Sequence, residues 1–137
     1  MNYFKNKTVA VTGGTGFIGS RLAERLAFET GATVNVLVHT WNKATWVSRA
    51  NVNLIQGEVT NKESLEPLLE NVDITFHCAM SGSPPLCHSV NPTGTRNVLE
   101  ACEKYGVKRV VHFSTVGVHG PYIAVSYTHL TLPTITE

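Results

Sequence analysis

Residues Thr12-Gly13-Gly14-Thr15-Gly16-Phe17-Ile18-Gly19-Ser20 set Gly13, Gly16 and Gly19 at the spacing G-x-x-G-x-x-G. That spacing suits a main chain that must hold a diphosphate. A β-carbon keeps phosphates away from backbone N–H groups, whereas bare backbone lets them approach. If a helix begins here, its unpaired N–H groups and the positive end of its dipole face the anion. Thr15, Phe17 and Ile18 lie between the glycines and are expected on the same rim. The pattern is close to the dinucleotide fingerprint, but it carries weight only with a strand before it and an amphipathic helix after it. Without them, three glycines are an ordinary tight turn.

Both flanks are present. Thr8–Thr12 is a β-branched run, and Phe17–Glu29 spaces Ile18, Leu22 and Leu26 four apart, with Ala23 and Ala27 beside them and Gly31 as a stop. Further strand-like runs are Thr33–Val38, Val52–Gln56, Val72–His77 and Arg109–Phe113. They are apolar on both faces, as strands covered on two sides must be. Helical spacing recurs over Asn61–Glu70, shortened by Pro67, and over Ser89–Tyr105, with one or two turns within Trp41–Arg49. Strands alternating with helices predict an α/β, Rossmann-like, doubly wound sheet of about five parallel strands in the order 3-2-1-4-5.

Composition narrows the rest. The chain has 137 residues, a net charge of +1 and 42% apolar residues. That is one domain's length with enough apolar side chains for a core. A near-neutral balance offers no basic face, so no nucleic-acid partner is expected. No apolar run reaches the roughly 18 residues of a membrane span, and residues 1–7 lack a signal peptide's apolar stretch. With Cys78, Cys87 and Cys102 as the only cysteines, a reducing, cytoplasmic setting is expected.

Where the second strand ends, about 20 residues past the glycines, a carboxylate would grip the adenosine ribose. The chain there reads Leu37-Val38-His39-Thr40-Trp41-Asn42-Lys43, without one. His39 and Lys43 can instead supply positive charge to a 2′-phosphate, which tilts the expected cofactor from NAD toward NADP. Lys43 is equally well read as a solvated lysine. The pairs His77-Cys78 and Cys87-His88 are metal-ligating types, but neighbours on a strand end point to opposite faces, so no metal site is expected. Trp41 and Trp46 are candidates either to cover the sheet or to wall an adenine pocket.

Four segments together are specific. VTGGTGFIGSRLAERL (11–26), GEVTNKESL (57–65), VDITFHCAM (72–80) and SVNPTGTRNVLEACEKYGVKRVVHFSTVGVHG (89–120) resemble, in order, the N-terminal part of the extended short-chain dehydrogenases/reductases, the NAD(P)-dependent epimerase/dehydratase family. The resemblance implies that Glu58 and Val59 lie near the adenine and that the turn His77-Cys78-Ala79 runs beside the nicotinamide ribose. It also implies that Asn91 and Thr95 belong to a helix packed against the active site. Pro92 stands where the family has valine, tolerable only in a first helical turn. Aligning Val118-His119-Gly120 with the family's Val-Tyr-Gly puts the catalytic hydroxyl at Thr115, next to Ser114. A hydroxyl at the carboxyl end of a central strand sits at the crevice where such sheets bind ligands.

The family's Tyr-x-x-x-Lys is missing. Tyr122 is followed four residues later by Ser126 and Tyr127 by Thr131, and no lysine follows Lys108. Loss of the proton-transferring tyrosine costs about 10²–10⁴-fold in rate, so this chain is expected to be inactive. Residues 125–137 abandon the pattern and resemble translated sequencing-library adapter, so 1–124 is expected to be an incomplete NAD(P)-binding domain and the tail to carry no evolved function. The resemblance implies a parent, possible homodimer included, that acts on a small-molecule substrate: as epimerase or dehydratase on a nucleotide sugar, or as reductase or dehydrogenase on a ketone or alcohol. A non-catalytic NAD(P)-binding sensor module is the alternative from another class.

Overall fold

The way each strand is buried separates the centre of the sheet from its margins. In a computed structural model that describes residues 3–115, β1 (Thr8–Thr12), β2 (Thr33–Val38) and β4 (Ile74–His77) are buried almost throughout. By contrast β3 (Asn53–Gln56) and β5 (Arg109–His112) are exposed at both ends and half-buried between. The five strands are parallel in the order β3-β2-β1-β4-β5, as expected. The expectation that every strand is apolar on both faces holds for the three central strands and fails for β3 and β5, because an edge strand has one neighbour and less cover. The Val118-His119-Gly120 alignment and the tail over 125–137 lie outside the described residues.

Alternation along each strand builds two cores. Val9, Val11, Val34, Val36, Ile74 and Phe76 face α1 (Phe17–Glu29), which contributes Ala23 and Leu26. Ala10 and Leu37 face the other way, toward Leu65, Leu68 and Leu69 and toward Val98, Ala101 and Cys102 of α3 (Leu86–Lys104). Period-two strands thus meet helices of period 3.6 on both sides.

Two short helical stretches form as expected, and the start of the last helix is corrected. Asn61–Glu70 forms only a 3-10 turn, Glu63–Leu65, running into a single-turn α2, Glu66–Leu69, with Pro67 in its first turn where a missing N–H costs nothing. Trp41–Arg49 forms two 3-10 turns, Trp41–Lys43 and Val47–Arg49. Both tryptophans are exposed there, and Ala44 and Val47 cover the sheet instead. Finally α3 starts at Leu86 rather than Ser89, its first turn anchored by Cys87 N–H to the Ser83 carbonyl and His88 N–H to the Pro85 carbonyl. Pro92 therefore falls in the second turn and leaves the His88 carbonyl without its helical donor. Both residues are exposed, so water can take its place.

Cys78, Cys87 and Cys102 are free thiols. Among the described residues no helix is long and apolar enough to cross a membrane.

Candidate functional site

The turn from β1 into α1 is shaped by two close approaches. Gly13 has φ +66°, and a β-carbon there would stand 2.6 Å from Ala79 N and 2.7 Å from the Cys78 carbonyl carbon. The exit of β1 thus lies directly on the exit of β4. A β-carbon on Gly19 would run into the Gly13 carbonyl, so Gly19 lets the helix tuck under its own turn. Gly16 differs. It caps α1 in extended backbone, and its nearest obstacle is the Gly13 carbonyl oxygen at 3.2 Å. A β-carbon at Gly16 would press on that carbonyl less closely than one at Gly19, and Gly16 is itself exposed. No side chain caps the start of α1 and no acidic residue lies in its first turn, so that helix mouth carries positive potential without a competing carboxylate.

In front of the turn lies a cavity of about 420 Å³. It brings together most of the residues expected from the sequence: Gly13, Thr15 and Gly16 from the turn, His39 and Lys43 after β2, Glu58 and Val59 after β3, and Cys78 and Ala79 after β4. At one end His39 Nε2 stands 3.9 Å from Glu58 Oε2. The carboxylate that the β2 exit lacks is therefore delivered from β3. Ser64 fixes its backbone: Glu58 N–H donates to Ser64 Oγ at 2.9 Å, and that hydroxyl lies 2.8 Å from the Glu58 carbonyl. At the other end burial pushes the Cys78 thiol up to about 11, so Cys78 is a small packing residue rather than a nucleophile.

Four expected residues lie elsewhere. Gly19 is buried beneath the turn, and Ile18 points out of α1 half-exposed. Phe17 is 91% exposed and borders a separate groove with Trp46 and Arg49. Asn91 holds the loop after β4 instead of lining the cavity: its Oδ1 accepts Ser81 N–H at 2.8 Å and its Nδ2 donates to the Ser81 carbonyl at 3.0 Å. It also lines an adjoining groove of about 570 Å³ with Thr95, His112, Phe113, Ser114 and Thr115. Ala79 and Met80 line both spaces, so the candidate hydroxyls stand next to the cavity's β4 end. No cluster of three or more His, Cys, Asp or Glu forms among the described residues, and both ring nitrogens of His77 are engaged by threonines.

Sequence reasoning passed over Asn97, which is buried and donates from Nδ2 to the carbonyls of Val59 (3.0 Å) and Thr60 (3.1 Å). It ties α3 to the β3 exit that carries Glu58. The available signal is a polar residue on the stripe Gly94, Val98, Ala101 and Cys102, which is otherwise apolar. Asn97→Ala strands two carbonyls and is expected to cost about 1–3 kcal/mol in urea unfolding; a loss within about 0.5 kcal/mol, the range of an ordinary surface change, would contradict that role.

Comparison with known proteins agrees with this geometry. A profile described as "NAD dependent epimerase/dehydratase family" matches residues 9–135. The mouse sterol-4-alpha-carboxylate 3-dehydrogenase, decarboxylating, is 34% identical over 119 residues, which cover 83% of this chain and 31% of that protein. The chain thus spans about a third of the length of such curated relatives. Among solved structures, Pen from Bacillus thuringiensis superposes with a TM-score of 0.78 at 28% identity, over 87% of this chain and 40% of Pen. UDP-glucose 4-epimerase from Thermotoga maritima, solved with UDP-glucose, gives 0.72 at 31% identity, over 80% and 38%. With that profile spanning nearly all of the chain, the chain belongs to the NAD-dependent epimerase/dehydratase family.

Proposed function

We propose that the cavity binds NAD(P) and that in the whole protein it serves hydride exchange at a carbon bearing an alcohol or ketone oxygen. The observation that carries this is that Gly13, Thr15 and Gly16 line the cavity at an α1 mouth free of any capping side chain. The chemistry that the cofactor supplies when bound is reversible hydride transfer. This chain's residues bind and orient it. The N–H groups at the start of α1 hold the diphosphate, Glu58 and His39 hold the adenosine end, and Ala79 lies at the far end. Ser114 and Thr115 hold the substrate oxygen from the adjoining groove.

For the substrate we favour a nucleotide sugar, supported by the 31% identity to a structure solved with UDP-glucose. An apolar alcohol or ketone is the second reading, supported by Met80 and Phe113, exposed apolar residues in the groove of Thr115, and by the sterol dehydrogenase relative.

Fluorescence titration of the full chain with NADH and NADPH tests the proposal. Both are expected to bind, NADPH a few-fold tighter, because Lys43 and His39 face the 2′ position while Glu58 repels a phosphate there. Glu58→Gln is expected to widen the preference for NADPH about three- to tenfold, and Lys43→Ala to reverse it. Failure of both cofactors to bind refutes the function; unchanged preference in both variants refutes the residue roles.

A further inference from the structure

Strand β4 ends on His77, whose side chain does not line the cavity. His77 is 1% exposed, and each ring nitrogen has one partner: Nδ1 lies 2.7 Å from Thr12 Oγ1 and Nε2 lies 3.0 Å from Thr95 Oγ1. The ring stacks on His112, with centroids 5.1 Å apart and planes at 21°. Thr12 is the last residue of β1, directly before Gly13, and its Oγ1 also accepts the Ala79 N–H at 3.4 Å. Ala79 N is the atom that a β-carbon on Gly13 would strike. Thr95 sits one helical turn beyond Asn91, which grips Ser81. One imidazole therefore ties together the glycine turn, the β4 exit and α3, and through the stack it reaches the strand end that leads to Ser114.

We propose that His77 is a positioning residue for the cavity, fixing the spacing of Gly13 and Ala79 through Thr12. In either tautomer of the neutral ring one nitrogen donates and the other accepts, so the Thr12 and Thr95 hydroxyls take opposite roles, and Thr12 Oγ1, with two acceptor sites, keeps the Ala79 N–H in both. A ligand that reaches from the His39–Glu58 end to the Ala79–Met80 end must pass the Gly13–Ala79 contact. A mononucleotide held at the His39–Glu58 end need not. The proposal rests on the cavity being the NAD(P) site.

The test compares NADH with AMP on the full chain. Thr12→Val keeps the side chain's shape but deletes the hydroxyl, leaving the Ala79 N–H and His77 Nδ1 unpaired. It is expected to weaken NADH about tenfold and AMP less than about twofold, with Thr12→Ser restoring both. Thr95→Val removes the other partner from a less buried position; the same pattern is expected there and decides the matter should Thr12→Val not fold. Proton–nitrogen NMR of the ligand-free wild type at pH 7 is expected to show a neutral His77 ring. Equal weakening of AMP and NADH, no weakening of either, or a charged His77 ring overturns the proposal. Wild-type protein that binds neither ligand overturns the NAD(P) site itself, and the positioning role with it.

Discussion

Gly16→Leu is expected to abolish NAD(P)H binding, raising the dissociation constant about 100-fold or more, which is about 2.7 kcal/mol. Gly19→Ala is expected to lower the melting temperature more than Gly16→Leu does. The contrast follows from where each β-carbon would go. At Gly16 the backbone is already extended, the Gly13 carbonyl oxygen 3.2 Å away must yield only a few tenths of an ångström, and the residue lines the cavity. At Gly19 even a methyl meets the Gly13 carbonyl, a backbone group that cannot swing aside. Overpacking of that kind costs about 1–3 kcal/mol, against a gain of up to about 1 kcal/mol in helix propensity for alanine. Circular dichroism melts with calorimetric titration separate the two effects. Tight NADH binding by Gly16→Leu would show that the diphosphate does not lie at this turn.

Acidification supplies the second large effect. Burial, followed by the charge on the stacked His112 ring, pulls the His77 imidazole from its ordinary 6.5 down to about 4. The unfolded chain therefore takes up this proton first as pH falls. The contribution is complete above about 6.5, shrinks as pH drops toward 4 and amounts in full to about 3 kcal/mol, of which roughly 2 kcal/mol is lost between pH 7 and pH 5. Asp73, Glu29 and Glu100 are held below their ordinary carboxylate values by Lys108, Arg25 and Lys62. Their share is lost later, as pH falls through the carboxylate range, so urea unfolding between pH 7 and pH 5 isolates the histidine. His77→Gln is expected to be less stable at neutral pH yet flatter across this window. A wild-type stability that does not change over it would contradict a neutral buried His77.

Much of the fold was readable because the signals were periodic. Paired glycines between a β-branched run and an i, i+4 stripe announced β1, the turn and α1, and the strand order followed from the alternation of elements. Short elements were harder. Pro67 cut the Asn61–Glu70 stretch to a single turn of α-helix, and the start of α3 depended on hydrogen bonds from the Cys87 and His88 N–H groups to the Ser83 and Pro85 carbonyls, which no apolar period records. The cavity wall was legible where residue type and position coincide, as at Gly13, Glu58 and Ala79. Residues that act through the backbone were not. Asn91 looked like a cavity residue and instead clamps Ser81, and His77 gave no sign that two threonines far away in sequence would claim both its nitrogens.

The central claim is that a diphosphate lies against the amides at the mouth of α1. An NMR titration of the full chain with NADH tests it most directly. Saturable shifts are expected first at the amides of Gly13 through Gly19 and at Ala79, with smaller ones at Glu58 and Val59. Saturable binding that leaves those amides unmoved, or shifts confined to the Trp46–Arg49 groove, would contradict it.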